Sequence, residues 1–167
     1  MAYVREEKIT CHDIPHRGYR ILGEVKDDLH HFKVELGIDF FTDEIFEAKA
    51  EALNTPFPIC VEAINSISNL NGLRVGDGIS KRINQALIGP EGCFHLAELI
   101  INCISAGLQA SAREIPEWIP KEEYARAWKS REKTYLGRCI HYARPGATST
   151  MEIVHSEILP NRKQEEK

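Results

Sequence analysis

Gly92-Cys93-Phe94-His95-Leu96 sets a thiol and an imidazole two residues apart, where a glycine-bearing turn runs into the most apolar stretch of the chain. A helix start presents unpaired N–H groups and partial positive charge, which favour a thiolate. A thiolate beside an imidazole is either half of a metal site or an activated nucleophile. Two further residues belong to faces expected to point inward, His30 and Cys60, and Cys139 sits just after a glycine. Two cysteines and two histidines are a tetrahedral zinc donor set, and the same ligands suit iron. No C-x2-C pair is present, so the fold would have to assemble such a site from distant segments. Residues i and i+2 of a regular helix point to different sides. Cys93 and His95 can therefore share an ion only if Cys93 lies in the cap, outside the helical register, a turn that Gly92 permits.

The elements that must position these residues are legible from periodicity. His30, Phe32, Val34, Leu36, Ile38 and Phe40 alternate with His31, Lys33, Glu35, Gly37 and Asp39, the period-2 split of a half-buried strand. His30 falls on the core face and His31 on the solvent face. Tyr19, Ile21, Gly23 and Val25 alternate in the same way, which predicts an antiparallel neighbour joined through a turn at Asp27-Asp28. Thr42–Leu53 is ambiguous: its Ala, Glu and Lys content favours helix. Phe46, Ala48, Ala50 and Ala52 nevertheless alternate with Glu47, Lys49 and Glu51, and a strand is the reading adopted. After Pro56 and Pro58 the period turns helical, with Cys60, Ala63, Ile64 and Ile67 on one face and Asn71-Gly72 as the stop. Helices are predicted over about 79–88, 93–112 and 121–137, then a last extended piece from Cys139–His141 through Met151, Ile153 and His155. The fold class is α+β: a small antiparallel sheet in the N-terminal third, covered on one face by several helices.

Composition limits the function classes. The chain has 167 residues, 43% hydrophobic and 28% charged, with a net charge of −4. It is read as one domain over residues 1–160, followed by a charged flexible tail at 161–167. No basic field points to nucleic acid. The apolar run Leu96–Leu108, broken by Glu98, Asn102 and Ser105, is too short and too polar to span a bilayer. Five scattered cysteines and no apolar leader point to a cytoplasmic protein with reduced thiols. The partners left open are a second copy of the chain or a partner enzyme.

Other residues with chemically capable side chains have structural readings. Cys103 is expected in the core, and Cys60 taken alone would more often be core as well. Cys11, His12 and His16 lie in a polar segment read as surface. His31 and Asp27-Asp28 are read as a solvated turn, and Trp118 and Trp128 as packing anchors. Arg126, Lys129, Arg131 and Lys133 alternate with acids as a solvated helix face would.

Leu29-His30-His31-Phe32-Lys33-Val34-Glu35-Leu36, Pro58-Ile59-Cys60, Leu70-Asn71-Gly72-Leu73 and Gly92-Cys93-Phe94-His95-Leu96-Ala97-Glu98-Leu99, closing at Gln109, resemble a bacterial family called domain of unknown function 2889. The resemblance covers about residues 17–145 and is densest over 29–109. Its signature is a Leu-His pair opening a strand, a Pro-x-Cys segment, a Leu-x-Gly turn and Gly-Cys-Thr-His-Leu; here Phe94 stands in place of the Thr. The resemblance implies that His30, Cys60, Cys93 and His95 matter together, with Cys139 matching a later family cysteine. It implies no reaction.

The expected function is therefore a metal-binding protein holding zinc or iron through His30, Cys60, Cys93 and His95, with Cys139 as a further donor. One alternative is a thiol enzyme with Cys93 as nucleophile, His95 or His30 as base, and Glu98 as support. Another is an iron–sulfur or metal delivery factor using Cys60, Cys93 and Cys139. A fourth is a small accessory domain whose thiols only pack.

Overall fold

Residues 2–112 and 115–145 are described by a computed structural model. They divide after Ser111 into two compact units. In the first unit β1 (Glu6–Ile14), β2 (Gly18–Lys26), β3 (His31–Asp39) and β4 (Ile45–Asn54) make an antiparallel meander in the order β1-β2-β3-β4. A 3₁₀ segment (Pro58–Leu70), α1 (Ile79–Leu87) and α2 (Phe94–Ser111) follow. The fold class is α+β, as the alternation predicts.

Strand polarity explains which face the helices cover. Ile21, Val25, Phe32, Val34 and Leu36 are buried with Leu96, Leu99, Ile100, Cys103 and Ile104 in one core. The opposite face carries a cross-strand row in which Lys8 stands beside Glu24, Glu24 beside Lys33 and Lys33 beside Glu51. Opposite charges at directly paired positions stabilise by about 0.2–1 kcal/mol each, which suits a face left to water. The ambiguous segment is a strand because its small side chains fit here. Ala48, Ala50 and Ala52 pair with Leu36, Val34 and Phe32, so large and small residues alternate across the sheet. Tertiary pairing overrides the local helix propensity.

Helix α2 lies close to the sheet at two glycines. A Cβ added at Gly23 would stand 2.3 Å from Cys103 Sγ, and one at Gly107 would stand 2.3 Å from Ile21 Cδ1. Cys103 is fully buried, and burial pushes its thiol up to about 12, so it packs as a small hydrophobe. Gly107→Ala is expected to cost about 1–2 kcal/mol in a urea titration: overpacking of about 1–3 kcal/mol, offset by a helix-propensity gain of up to about 1 kcal/mol.

Several expectations change. Strand β1 was not foreseen, and within it Cys11 is half-buried against the core instead of lying on a polar surface. The segment after Pro58 is helical but wound as a 3₁₀ helix, with Ala63, Ile67 and Leu70 buried. Its buried positions recur every three to four residues.

In the second unit α3 spans Lys121–Glu132 and ends in a 3₁₀ turn, Lys133–Tyr135, so the helix stops short of Gly137. Trp128 is buried, in keeping with a packing role. Arg131 and Glu132 are buried too, so that helix is not solvated all round. Cys139–His141 is not extended: Ala143 N–H donates to the Cys139 carbonyl at 2.9 Å and closes a turn. The expected continuation through Met151, Ile153 and His155, and the charged tail, lie outside the described residues.

Candidate metal and thiol centre

The β2–β3 turn builds the first half of the site. Asp27 Oδ1 accepts the backbone N–H groups of Leu29 and His30, each at 2.8 Å, and Asp27 N–H donates to the His30 carbonyl at 2.8 Å. This side-chain-to-backbone turn is what a short acidic residue can make and a hydrophobic one cannot. The same Oδ1 lies 3.3 Å from His30 Nδ1 and fixes the ring. Only 1% of the Asp27 side chain is exposed. Burial by itself would raise its pKa. The N–H donors of Leu29 and His30, then the Tyr3 hydroxyl and the His30 ring, outweigh burial and hold the carboxyl well below the usual carboxylate range.

The α1–α2 junction builds the second half. Cys93 N–H donates to the Leu87 carbonyl at 2.8 Å, at the end of α1, and the Cys93 carbonyl accepts Ala97 N–H at 3.1 Å. Cys93 is thus the N-cap of α2: its carbonyl opens the helix while its side chain stays outside the helical register. That resolves the spacing problem, because Cys93 Sγ comes to 4.0 Å from His95 Nδ1. Gly92 is required by crowding, since a Cβ there would lie 1.9 Å from the Leu87 carbonyl oxygen.

The two halves meet. The His30 and His95 rings are 4.0 Å apart between centroids, tilted by 37°. His30 also stacks on Phe32 at 5.9 Å. Burial lowers the pKa of His95, followed by repulsion from His30 and Arg5, with Asp27 and Glu98 opposing. Arg5 Nη2 in turn forms an ion pair with Glu98 Oε2 at 2.7 Å. Glu98 thus stands between Arg5 and the centre, and its charge favours the protonated form of His95.

Of the residues singled out in the sequence, His30, Cys93 and His95 come together. Half-buried Cys60 lines a groove of about 870 Å³ beside Gly92, with Ile59, Ala63, Ile88 and Pro90. Cys139 is exposed in the second unit. Among the described residues, no three His, Cys, Asp or Glu side chains form a ready-made metal cage.

Asp27 is the residue that periodicity missed. Adjacent acids between strands suggest water, yet an Asp three residues before a buried His is the spacing of a side chain that caps its own turn. His31 fits the solvent face, paired with Glu24 at 2.6 Å.

Fold and site together define an α+β protein with a Cys/His centre between a hairpin turn and a helix N-cap. The profile of the family described as "Protein of unknown function (DUF2889)" matches residues 10–109, and the chain belongs to that family. The match takes in His30, Cys60, Cys93 and His95 and leaves Cys139 outside. No curated protein and no solved structure matches the chain.

Proposed function

We propose that this is a metal-binding protein whose centre takes zinc or iron through His30, Cys93 and His95. The observation that carries the reading is the convergence of two imidazoles and a thiol from separate elements, with a buried carboxylate behind one imidazole. A metal-ligating histidine is ordinarily held by a carboxylate or carbonyl on its other nitrogen, and Asp27 stands in that position to His30. Imidazole and thiolate donors suit zinc or iron. Binding would draw the three side chains in from their present positions. With three protein ligands a position stays open for water or substrate, and the ion can act as a Lewis acid. With Cys60 as a fourth donor the site would be closed and structural. None of the five cysteines is joined in a disulfide, which suits a reducing cytoplasm.

Elemental analysis of tag-free protein, as purified and after anaerobic reconstitution, tests this. A stoichiometric metal that is lost in the Cys93→Ser variant is the expected result, and its absence from the reconstituted wild type refutes the reading.

A second reading rests on the 4.0 Å approach of Cys93 Sγ to His95 Nδ1, the arrangement of a thiol nucleophile beside its base. It requires Cys93 in metal-free protein to be alkylated faster than Cys11 and Cys60. Equal rates at the three thiols count against it.

A further inference from the structure

The segment ahead of β1 follows one face of α2. Glu7 accepts both contacts from Asn102 Nδ2, at 3.1 and 3.2 Å, and Arg5 pairs with Glu98 at 2.7 Å. Residues two apart on an extended chain are separated by about 6.6 Å, close to the about 6 Å between helical residues four apart. The two contacts therefore keep a common register. His95, Glu98 and Asn102 fall at i, i+3 and i+7, one stripe of the helix.

Carried back by two residues of the chain and four of the helix, the register brings Tyr3 to the level of Phe94, next to His95. The Tyr3 hydroxyl and the Asp27 carboxylate act on each other's protonation, raising the one pKa and lowering the other. The Asp27 Oδ2 atom is buried and has no hydrogen-bond partner among the described residues. Arg5 acts on both Tyr3 and His95. The outer side of Tyr3 faces water, with 62% of the residue exposed. A side chain held against the centre by one half-exposed ion pair can lift away without disturbing the core.

We propose that residues 2–5 form a strap across the Asp27–His30–His95–Cys93 centre, latched by Arg5 on Glu98, and that releasing the latch opens the centre. Tyr3 is then a positioning residue of the site, set against the carboxylate that orients His30. The purpose of the strap rests on the proposed centre, but its existence does not.

The test is the alkylation rate of Cys93 in metal-free protein, resolved from the other thiols by peptide mass spectrometry, with circular dichroism confirming the fold. Arg5→Ala and Glu98→Ala are each expected to raise the rate about two- to fivefold, the range a half-exposed ion pair can hold closed. The charge reversal Arg5→Glu with Glu98→Arg is expected to restore the wild-type rate. Tyr3→Ala, which keeps the latch, should raise it as well. Unchanged rates in Arg5→Ala and Glu98→Ala, or no restoration by the reversal, overturn the latch. An unchanged rate in Tyr3→Ala overturns the placement of Tyr3. Because no metal is present, a failure here leaves the metal-binding reading untouched, and a failed metal analysis leaves the strap testable.

Discussion

On the proposed metal-binding reading, zinc is expected to stabilise the wild-type protein and His95→Ala to abolish that stabilisation. A ligand that binds only the folded state stabilises it by RT ln(1 + [L]/Kd), about 2.7 kcal/mol when the metal is at 100 times its Kd. Urea titrations with and without zinc would show this increment in the wild type and lose it in the variant. His95 sits at the second position of α2, with its ring against His30 and Nδ1 toward Cys93 Sγ. Its removal takes away one of the three converging donors. Asp27→Asn is a graded comparison, because the amide oxygen can still accept the N–H groups of Leu29 and His30 while the charge behind His30 is lost. A change of this kind behind a metal ligand costs about 10–100-fold in affinity, and His95→Ala should cost more. Cys60→Ser then decides the coordination: an affinity close to wild type means three protein ligands and an open position. Equal metal-dependent stabilisation in the wild type and His95→Ala would remove His95 from the centre.

Gly92→Ala should be the most damaging single-methyl change at the α1–α2 junction. The added Cβ would overlap the Leu87 carbonyl, with 1.9 Å to the oxygen and 2.6 Å to the carbon. These are backbone atoms, so relief cannot come from a side-chain rotation, and the turn itself must move. Overpacking costs about 1–3 kcal/mol, and losing the Cys93 N–H bond to Leu87 adds about 1 kcal/mol. A loss of about 2–4 kcal/mol in urea-denaturation free energy is the expected outcome, with weaker metal binding because Cys93 moves with the turn. Phe94→Ala is the control two residues away. Phe94 is largely exposed, and a surface truncation ordinarily shifts stability by no more than about 0.5 kcal/mol. Equal stability of Gly92→Ala and wild type would show that the junction has room that the geometry denies.

The sheet was readable because a strand buried on one side writes its environment into alternate residues. His30 at the mouth of β3 and Ala48, Ala50 and Ala52 in β4 followed from that period alone, even against helix propensity. Strand β1 was not readable, since its sequence Glu-Glu-Lys-Ile-Thr-Cys-His-Asp-Ile keeps charge at both ends and only half-buries Ile9 and Cys11. An edge strand pairs on one side only and carries a weaker pattern. The turn Cys139–His141 looked extended for the converse reason. A short run with no helical period does not distinguish a strand from consecutive turns.

For the centre itself, local chemistry in the chain determined which residues were candidates: a thiol in a capping turn, an imidazole two residues on, an inward-facing histidine and a half-buried cysteine. Only the tertiary structure decided which of them meet. It set His95 against His30, left Cys60 lining the neighbouring groove and paired Arg5 with Glu98 one turn along α2. The physical reason is one of range. Side-chain period and capping are written within a few residues of each position. The approach of a hairpin turn to a helix N-terminus depends on how closely α2 sits on the sheet, and that depends on space left by Gly23 and Gly107 far along the chain.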